Sequence, residues 1–434
     1  MNRIILIGNG FDLAHGLPTS YDSFINNLWL SIYKEVRNDL DYHVTNNEYV
    51  SVKVRDRIHL LRDYLPVYDS NRTHKEIISF LNNSELSLTY HNNFFQLICS
   101  HCQEGGWHGV EHDYYQVLKS LKKTPNLNTQ VKEFNNQFSK IEKDLQQYLI
   151  DVEKKTVISD DVISEITEKI YLSFKFEDVS ITYRKRLIES LFQYITLVFS
   201  NFVTPSVDSV IPIIKQRFLV LSGYDNIQLF QILEGFFYRK TLDEQVKYIE
   251  SKRSIKQVFI DILYPEKFLL LDFNYTNTTV KYNHPDTDII HIHGELNNPK
   301  NPMIFGYGDE IGEDYKKIED LEENELLKNV KSIRYQDTNN YQRLMEFIES
   351  DYYQVFVMGH SCGNSDRTLL NTLFEHENCL SIKPYYYQFG ENAEDSNYSD
   401  IVRNISRNFR DKPAMRNKVV NKTYCEPLLG YKKK

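Results

Sequence analysis

Gly8-Asn9-Gly10-Phe11-Asp12-Leu13-Ala14-His15-Gly16-Leu17-Pro18 follows directly on the apolar run Ile4-Ile5-Leu6-Ile7. A strand that ends in G-x-G, with a helical segment beyond it, is one way to bring bare backbone N–H groups up to a phosphate. The same glycines also suit a tight structural turn. The third glycine of the dinucleotide fingerprint falls on Leu13, and no clear ribose-binding acid stands about 20 residues further on. Beyond Pro18, Asp22 and Ser23 can cap a segment in which Ile25, Leu28, Trp29, Ile32, Tyr33 and Val36 recur with helical period. The opening reads as strand, glycine turn and helix.

The following stretch does not alternate strand and helix. Val131, Phe134, Phe138, Ile141, Leu145, Tyr148 and Leu149 fall on one face of a long helix, and Leu187, Ile188, Leu191, Phe192, Ile195, Val198 and Phe199 repeat the pattern. Residues 41–262 are therefore expected to be mainly helical, with no internal repeat. From Phe268 the character changes. Phe268-Leu269-Leu270-Leu271 reads as a buried strand, and further strands are expected at Ile289 to His293, Met303 to Phe305, Tyr353 to Met358 and Ile382 to Gln388. Helical segments around Leu344 to Ile348 and Leu369 to Phe374 lie among them. Short apolar runs alternating with helices indicate a parallel α/β sheet. Because its first unit lies at the N-terminus, the sheet is expected to be discontinuous, built from residues 1–40 and 263–434 with the helical stretch inserted.

Composition narrows the function classes. The 434 residues carry 60 acidic and 51 basic side chains, a net charge of −9, which disfavours a general nucleic-acid surface and suits a small-molecule ligand better. Aromatic residues at 13% argue for a folded chain. No apolar run approaches a membrane span, and the N-terminal apolar stretch is too short for a signal-peptide core, so a cytoplasmic location is expected. Five cysteines do not make a disulfide framework. Cys99 and Cys102 form a C-x-x-C near His101, His108 and His112, but no second closely spaced pair follows. Ordinary thiols are the better reading, and no metal is expected.

Ligands of an open parallel sheet bind beyond the carboxyl ends of its strands. Four polar clusters follow expected strands in this way: Gly8-Asn9-Gly10-Phe11-Asp12, Asn274-Tyr275-Thr276, His291-Ile292-His293-Gly294 and Gly359-His360-Ser361. Each has an ordinary alternative. Asn274 also reads as a satisfied loop amide, His291 and His293 as a metal pair or as core histidines on one strand face, and Gly359 and Ser361 as part of a helix cap that Ser365 or Asp366 could equally supply. Together, the four suggest one convergent site.

The spacing Gly8-x-Gly10, then Gly16-Leu17-Pro18, resembles the nucleotide-binding opening G-A-G-x-S-x-x-x-G-I-P of the sirtuins. Asn274 is similar in place to the Asn of the sirtuin T-Q-N-I-D motif, His293-Gly294 to the catalytic His-Gly, and Gly359-His360-Ser361 to the phosphate-contacting G-T-S. The wording Asn9-Gly10-Phe11-Asp12-x-x-His15-Gly16-Leu17-Pro18-Thr19, with Trp107 and Glu111 downstream, resembles more closely the bacterial AbiH family of phage abortive-infection proteins. These resemblances imply a Rossmann-like, sirtuin-like sheet with a large helical insertion. The chain also departs from the sirtuins. No cysteine lies between Gly294 and Cys362, where sirtuin deacetylases carry a four-cysteine zinc module, and Thr276 stands in place of the motif's Asp. Protein deacetylation is therefore not expected. Sirtuin-like proteins of bacterial phage defence lack that module and hydrolyse NAD.

The implied activity is cleavage of the nicotinamide–ribose bond, with NAD as substrate. Asn274 would bind the ribose and aim a water, His293 would accept a proton, and Asp12 would stabilise charge or act as base. Gly8, Asn9, Gly10, Phe11, His15, Gly294, Gly359, His360 and Ser361 would line the nucleotide, and Glu111 would reach the site or remain a surface carboxylate. The expected partner is NAD or a related nucleotide, with a second copy of the chain or a phage-derived trigger as further candidates. The alternative is a sensor that binds NAD or ADP-ribose without turnover.

Overall fold

A computed structural model of the chain describes residues 1–56, 58–104, 109–217, 219–262, 264–310, 312–392 and 394–431. Trp107 and His108 lie outside the described residues. Eight strands are formed among those described: β1 (Asn2–Ile7), β2 (Val44–Asn46), β3 (Val50–Val54), β4 (Leu86–Tyr90), β5 (Phe268–Asp272), β6 (Thr287–His291), β7 (Tyr353–Met358) and β8 (Cys379–Tyr385).

Five of them make one parallel sheet in the order β6-β5-β1-β7-β8. β1 is its central strand and is buried throughout, which is why Ile4 to Ile7 form an unbroken apolar run instead of an alternating one. Ile4 and Leu6 join Leu269, Leu271, Val355 and Val357 on one face, covered by helices Asn340–Ser350, Arg367–Glu375 and Tyr398–Arg407. Ile5 and Ile7 join Leu270, Phe356 and Met358 on the other, under Ile166 and Ile170 of helix Asp160–Ile170. Each such side chain contributes about 1.5–3 kcal/mol of burial. Strands are added on one side of β1 and then on the other, so the order of addition reverses beside it. Such a reversal opens a crevice at the carboxyl ends.

The stretch between β1 and β5 departs from the mainly helical expectation. β2, β3 and β4 form a separate antiparallel sheet, with Val50, Val52 and Val54 turned inward and Ser51 and Lys53 outward. That sheet shares a core with helix α2 (Tyr21–Val36) and with the long helix Leu127–Lys155. The cap of α2 is Ser20, whose hydroxyl accepts the Ser23 N–H at 3.2 Å, in place of Asp22 or Ser23. Leu296, Met303 and Phe305 belong to the same core, so it lies at the carboxyl ends of the strands. A second core, from Phe174 to Phe259, includes Met1 and Leu380, at the amino ends of β1 and β8. The insertion therefore covers both ends of the sheet.

Other differences are local. Met303 to Phe305 is not a strand: among the described residues a single backbone bond, from the Ile304 N–H to the His293 carbonyl at 2.7 Å, ties it to the turn after β6, and Phe305 stacks on Phe138 with ring centres 4.8 Å apart. β6 stops at His291, and β8 runs earlier than expected. Among the described residues, no helix is long and apolar enough to cross a membrane.

Candidate functional site

The turns after β1 and β7 pack backbone against backbone. A Cβ on Gly8 would lie 2.7 Å from the His360 Cα, one on Gly10 2.9 Å from the Gly359 Cα, and one on Gly359 2.0 Å from the Phe11 nitrogen. Gly359 also has φ +77°, in the region glycine favours. The Gly10 N–H donates to the Gly359 carbonyl at 2.8 Å and the Gly8 N–H to the Met358 carbonyl at 3.4 Å. Both amides expected to hold phosphate therefore have partners within the protein. Asn9 is exposed and accepts the Thr19 hydroxyl at 2.6 Å. Phe11 and His15 turn inward from helix α1 (Asn9–Ala14), with ring centres 4.5 Å apart. His15 Nδ1 donates to the Phe11 carbonyl at 2.6 Å, which leaves Nε2 to accept the Tyr282 hydroxyl at 2.5 Å. Burial lowers its pKa, consistent with a neutral bridging ring.

Asp12, on the same short helix, is 1% exposed. Its Oδ2 accepts the Thr276 hydroxyl at 2.6 Å, while Oδ1 is buried with no partner. Burial raises the carboxyl to about 7, the nearby Asp272 charge adds to this, and the Thr276 and Thr278 hydroxyls oppose it. Asp272, at the end of β5, is likewise raised by burial, to about 8. Its oxygens accept the Asn274 N–H and the Thr279 hydroxyl, each at 2.8 Å, and Oδ2 lies 3.5 Å from His291 Nδ1. Asn274 crosses to β1, donating from Nδ2 to the Gly8 carbonyl at 3.1 Å. A carboxyl that titrates near neutrality can both take and give a proton.

His293 lies in the turn beyond β6, so it does not share a strand face with His291. Its Nε2 is 3.2 Å from the Tyr335 hydroxyl and 3.3 Å from Asp366 Oδ1. His360 Nε2 lies 3.5 Å from Asp366 Oδ2, and the Phe273 ring sits 5.1 Å from the His293 ring and 4.2 Å from that of His360. Lys331, itself buried, places Nζ 2.9 Å from Asp366 Oδ1 and 2.9 Å from Glu111 Oε2. Burial alone would raise the Asp366 carboxyl, but Lys331 and the imidazoles hold it well below the usual range. Burial, helped by the Lys331 charge, lowers His293 to about 4, so its ring is neutral at pH 7. Gly294 follows with φ +86°, and a Cβ there would lie 2.1 Å from the Pro302 oxygen.

Residues 237–387 match the family model of bacteriophage abortive infection AbiH. The match supports the AbiH resemblance read from the opening of the chain, and does so from a different segment. No curated protein and no solved structure matches. The AbiH-matched segment contains Asp272, Asn274, His293, Lys331, Tyr335, His360 and Asp366. Asp12 and Glu111, which complete the two clusters, lie outside it.

The four strand ends read from the sequence converge, because Asn274 bonds Gly8, Thr276 bonds Asp12, Gly10 bonds Gly359, and His293 and His360 share Asp366. Ser361 stands apart. It is exposed, and its carbonyl accepts Asn404 Nδ2 at 2.8 Å. Asp366 does stand at the N-cap of its helix, but its side chain makes no cap bond and is turned to Lys331 and the imidazoles. Glu111 is drawn in from helix Val110–Ser120 and is not a surface carboxylate. Lys331, Tyr335 and Asp272 were not anticipated. Asp272 carried a signal, as the last residue of an apolar strand, but a lysine and a tyrosine in a charge-rich helical stretch carry none.

The long helix Leu127–Lys155 lies over these strand ends. Tyr148 donates to the Pro18 carbonyl at 2.6 Å, and Glu153 accepts the Asn277 N–H at 2.5 Å. A hollow of about 240 Å³ beside that helix is lined by Pro18, Tyr148, Asp151 and Lys155, and by none of the clustered site residues.

Proposed function

We propose that the chain acts in phage abortive infection by hydrolysing NAD at the nicotinamide–ribose bond, through a Rossmann-like, sirtuin-like site at the carboxyl ends of the parallel sheet. The AbiH match supports the defence role, and the reversal of strand order at β1 supports the place of the site. The observation that carries the chemistry is Asp12, a buried carboxyl with one oxygen unpartnered and a pKa of about 7. In the proposed reaction the ribose–nitrogen bond breaks and its electron pair leaves with nicotinamide. Water adds to the ribose carbon and gives its proton to Asp12. Asn274, half-buried beside Gly8, orients the water and the ribose hydroxyls. His293 is too weak a base at neutral pH to take that proton and instead accepts a hydrogen bond.

A second reading, a sensor that holds NAD or ADP-ribose without turnover, is favoured by the burial of Asp12, His293 and His360. Nicotinamide release separates the two. Phage-infected cells carrying the wild-type chain are expected to lose NAD, and cells carrying Asp12→Asn or Asn274→Ala to keep it. Purified wild-type chain should release nicotinamide, and both variants should lose at least about 100-fold of that rate. Tight NAD binding with no release from wild-type protein, in infected cells as well as in vitro, establishes the sensor.

A further inference from the structure

Both oxygens of Asp366 are surrounded by donors. Oδ1 meets Lys331 Nζ at 2.9 Å and His293 Nε2 at 3.3 Å, and Oδ2 meets the Ser365 hydroxyl at 3.3 Å and His360 Nε2 at 3.5 Å. On His360 the other ring nitrogen is accounted for independently. Nδ1 accepts the Cys362 N–H at 2.9 Å, so the proton of the neutral ring sits on Nε2. A hydrogen at that position is attracted by the carboxylate, and a lone pair there would be repelled. His293 presents the same nitrogen to the same carboxylate.

We infer that Asp366 is a positioning residue that fixes both imidazoles as the Nε2–H tautomer, so that Nδ1 of His293 is the atom that meets substrate. The last clause rests on the site reading above; the tautomer assignment does not. Lys331 keeps Asp366 ionised at 2.9 Å, and Glu111 holds the other side of the same ammonium group at 2.9 Å. Helix Val110–Ser120 thus acts on the imidazoles through two successive ion pairs. The titratable groups around His293 are Asp366, Lys331, Glu111, His360 and Tyr335, with Phe273 as the apolar wall. Of these, Lys331 is the cation that opposes charging of the ring. Removing it lets Glu111, already raised by burial and by Asp366, take up a proton, and leaves Asp366 as the anion facing His293 with no cation opposing the ring's charge, so His293 should then take up a proton more readily.

The test is nitrogen NMR of ring-labelled histidine in the full chain, with the two rings assigned by His293→Gln and His360→Gln. In wild-type protein at pH 7, both rings are expected to carry hydrogen on Nε2. In Lys331→Met the charging midpoint of His293 should rise by about one pH unit or more, and Lys331→Arg should restore it. Hydrogen on Nδ1 of either ring in the wild-type chain overturns the inference, and so does an unmoved His293 midpoint in folded Lys331→Met. The spectra require no turnover, so failure to release nicotinamide counts against the NAD reading alone.

Discussion

Asp12 is held where a charge is costly, and that makes stability depend on pH in a defined direction. A carboxyl raised from its unfolded value near 4 to about 7 keeps a proton in the folded chain that the unfolded chain has already released. Between these values, stability falls as pH rises, and above about 7 the contribution is flat. Asp272, at about 8, adds a penalty of the same sign that extends slightly higher. Asp12→Asn removes the titration but keeps the shape. Its stability relative to wild type should therefore improve between pH 5 and pH 8, by on the order of 2 kcal/mol, as read from urea unfolding at the two pH values. An equal difference at both would mean that Asp12 is not a buried acid. Asp12, Asn274 and His360 were legible as site candidates because each follows a strand that ends at the same edge of the sheet. Lys331 was not, because it sits at no strand end and meets Glu111, which the AbiH resemblance singles out, across 220 residues.

At the scale of elements, the glycine turns divide into two kinds that a sequence shows as identical. Gly16 follows helix α1 with φ +83° and open space around its missing Cβ, so Gly16→Ala should cost only about 1 kcal/mol. Gly359 combines φ +77° with a Cβ position 2.0 Å from the Phe11 nitrogen, so Gly359→Ala must push the two strand-end turns apart. It should cost more than about 3 kcal/mol and lower nicotinamide release along with thermal stability. Similar melting temperatures for the two variants would remove this account of the turn. The strands β1, β5 and β7 were legible because each contains an unbroken apolar run, Ile4 to Ile7, Phe268 to Leu271 and Val355 to Met358. The small sheet was not, although Val50-Ser51-Val52-Lys53-Val54 alternates with strand period, because the long helical patterns on its C-terminal side set the reading of the whole stretch.

At the scale of the molecule, the inserted residues make two cores, and the ends of the sheet they cover differ in chemistry. The carboxyl end carries the imidazoles and unpaired carboxyl oxygen. The face toward the second core carries Arg3, Gln354, Ser381, Lys383 and Asp178, all buried, with Lys383 Nζ 3.0 Å from both Asp178 oxygens. Lys383→Met would leave the Asp178 carboxylate unpaired beside β8. It should cost about 3–5 kcal/mol in urea unfolding, and Asp178→Asn in the same chain should recover part of that loss. No recovery would mean that lost packing, and not the stranded charge, sets the cost. The position of β1 has a consequence for how the protein is made. β1, the centre of the sheet, leaves the ribosome before any of its neighbours, yet Gly8 meets Asn274 across 266 residues and Asp12 meets Thr276 across 264. At about 5–20 residues per second, the nascent chain spends roughly 13–50 s with β1 lacking either neighbour. Asp366, the last of the two clusters to be synthesised, then closes the arrangement. A cell translating this chain therefore holds no assembled site until Asp366, more than 350 residues beyond Asp12, has been synthesised.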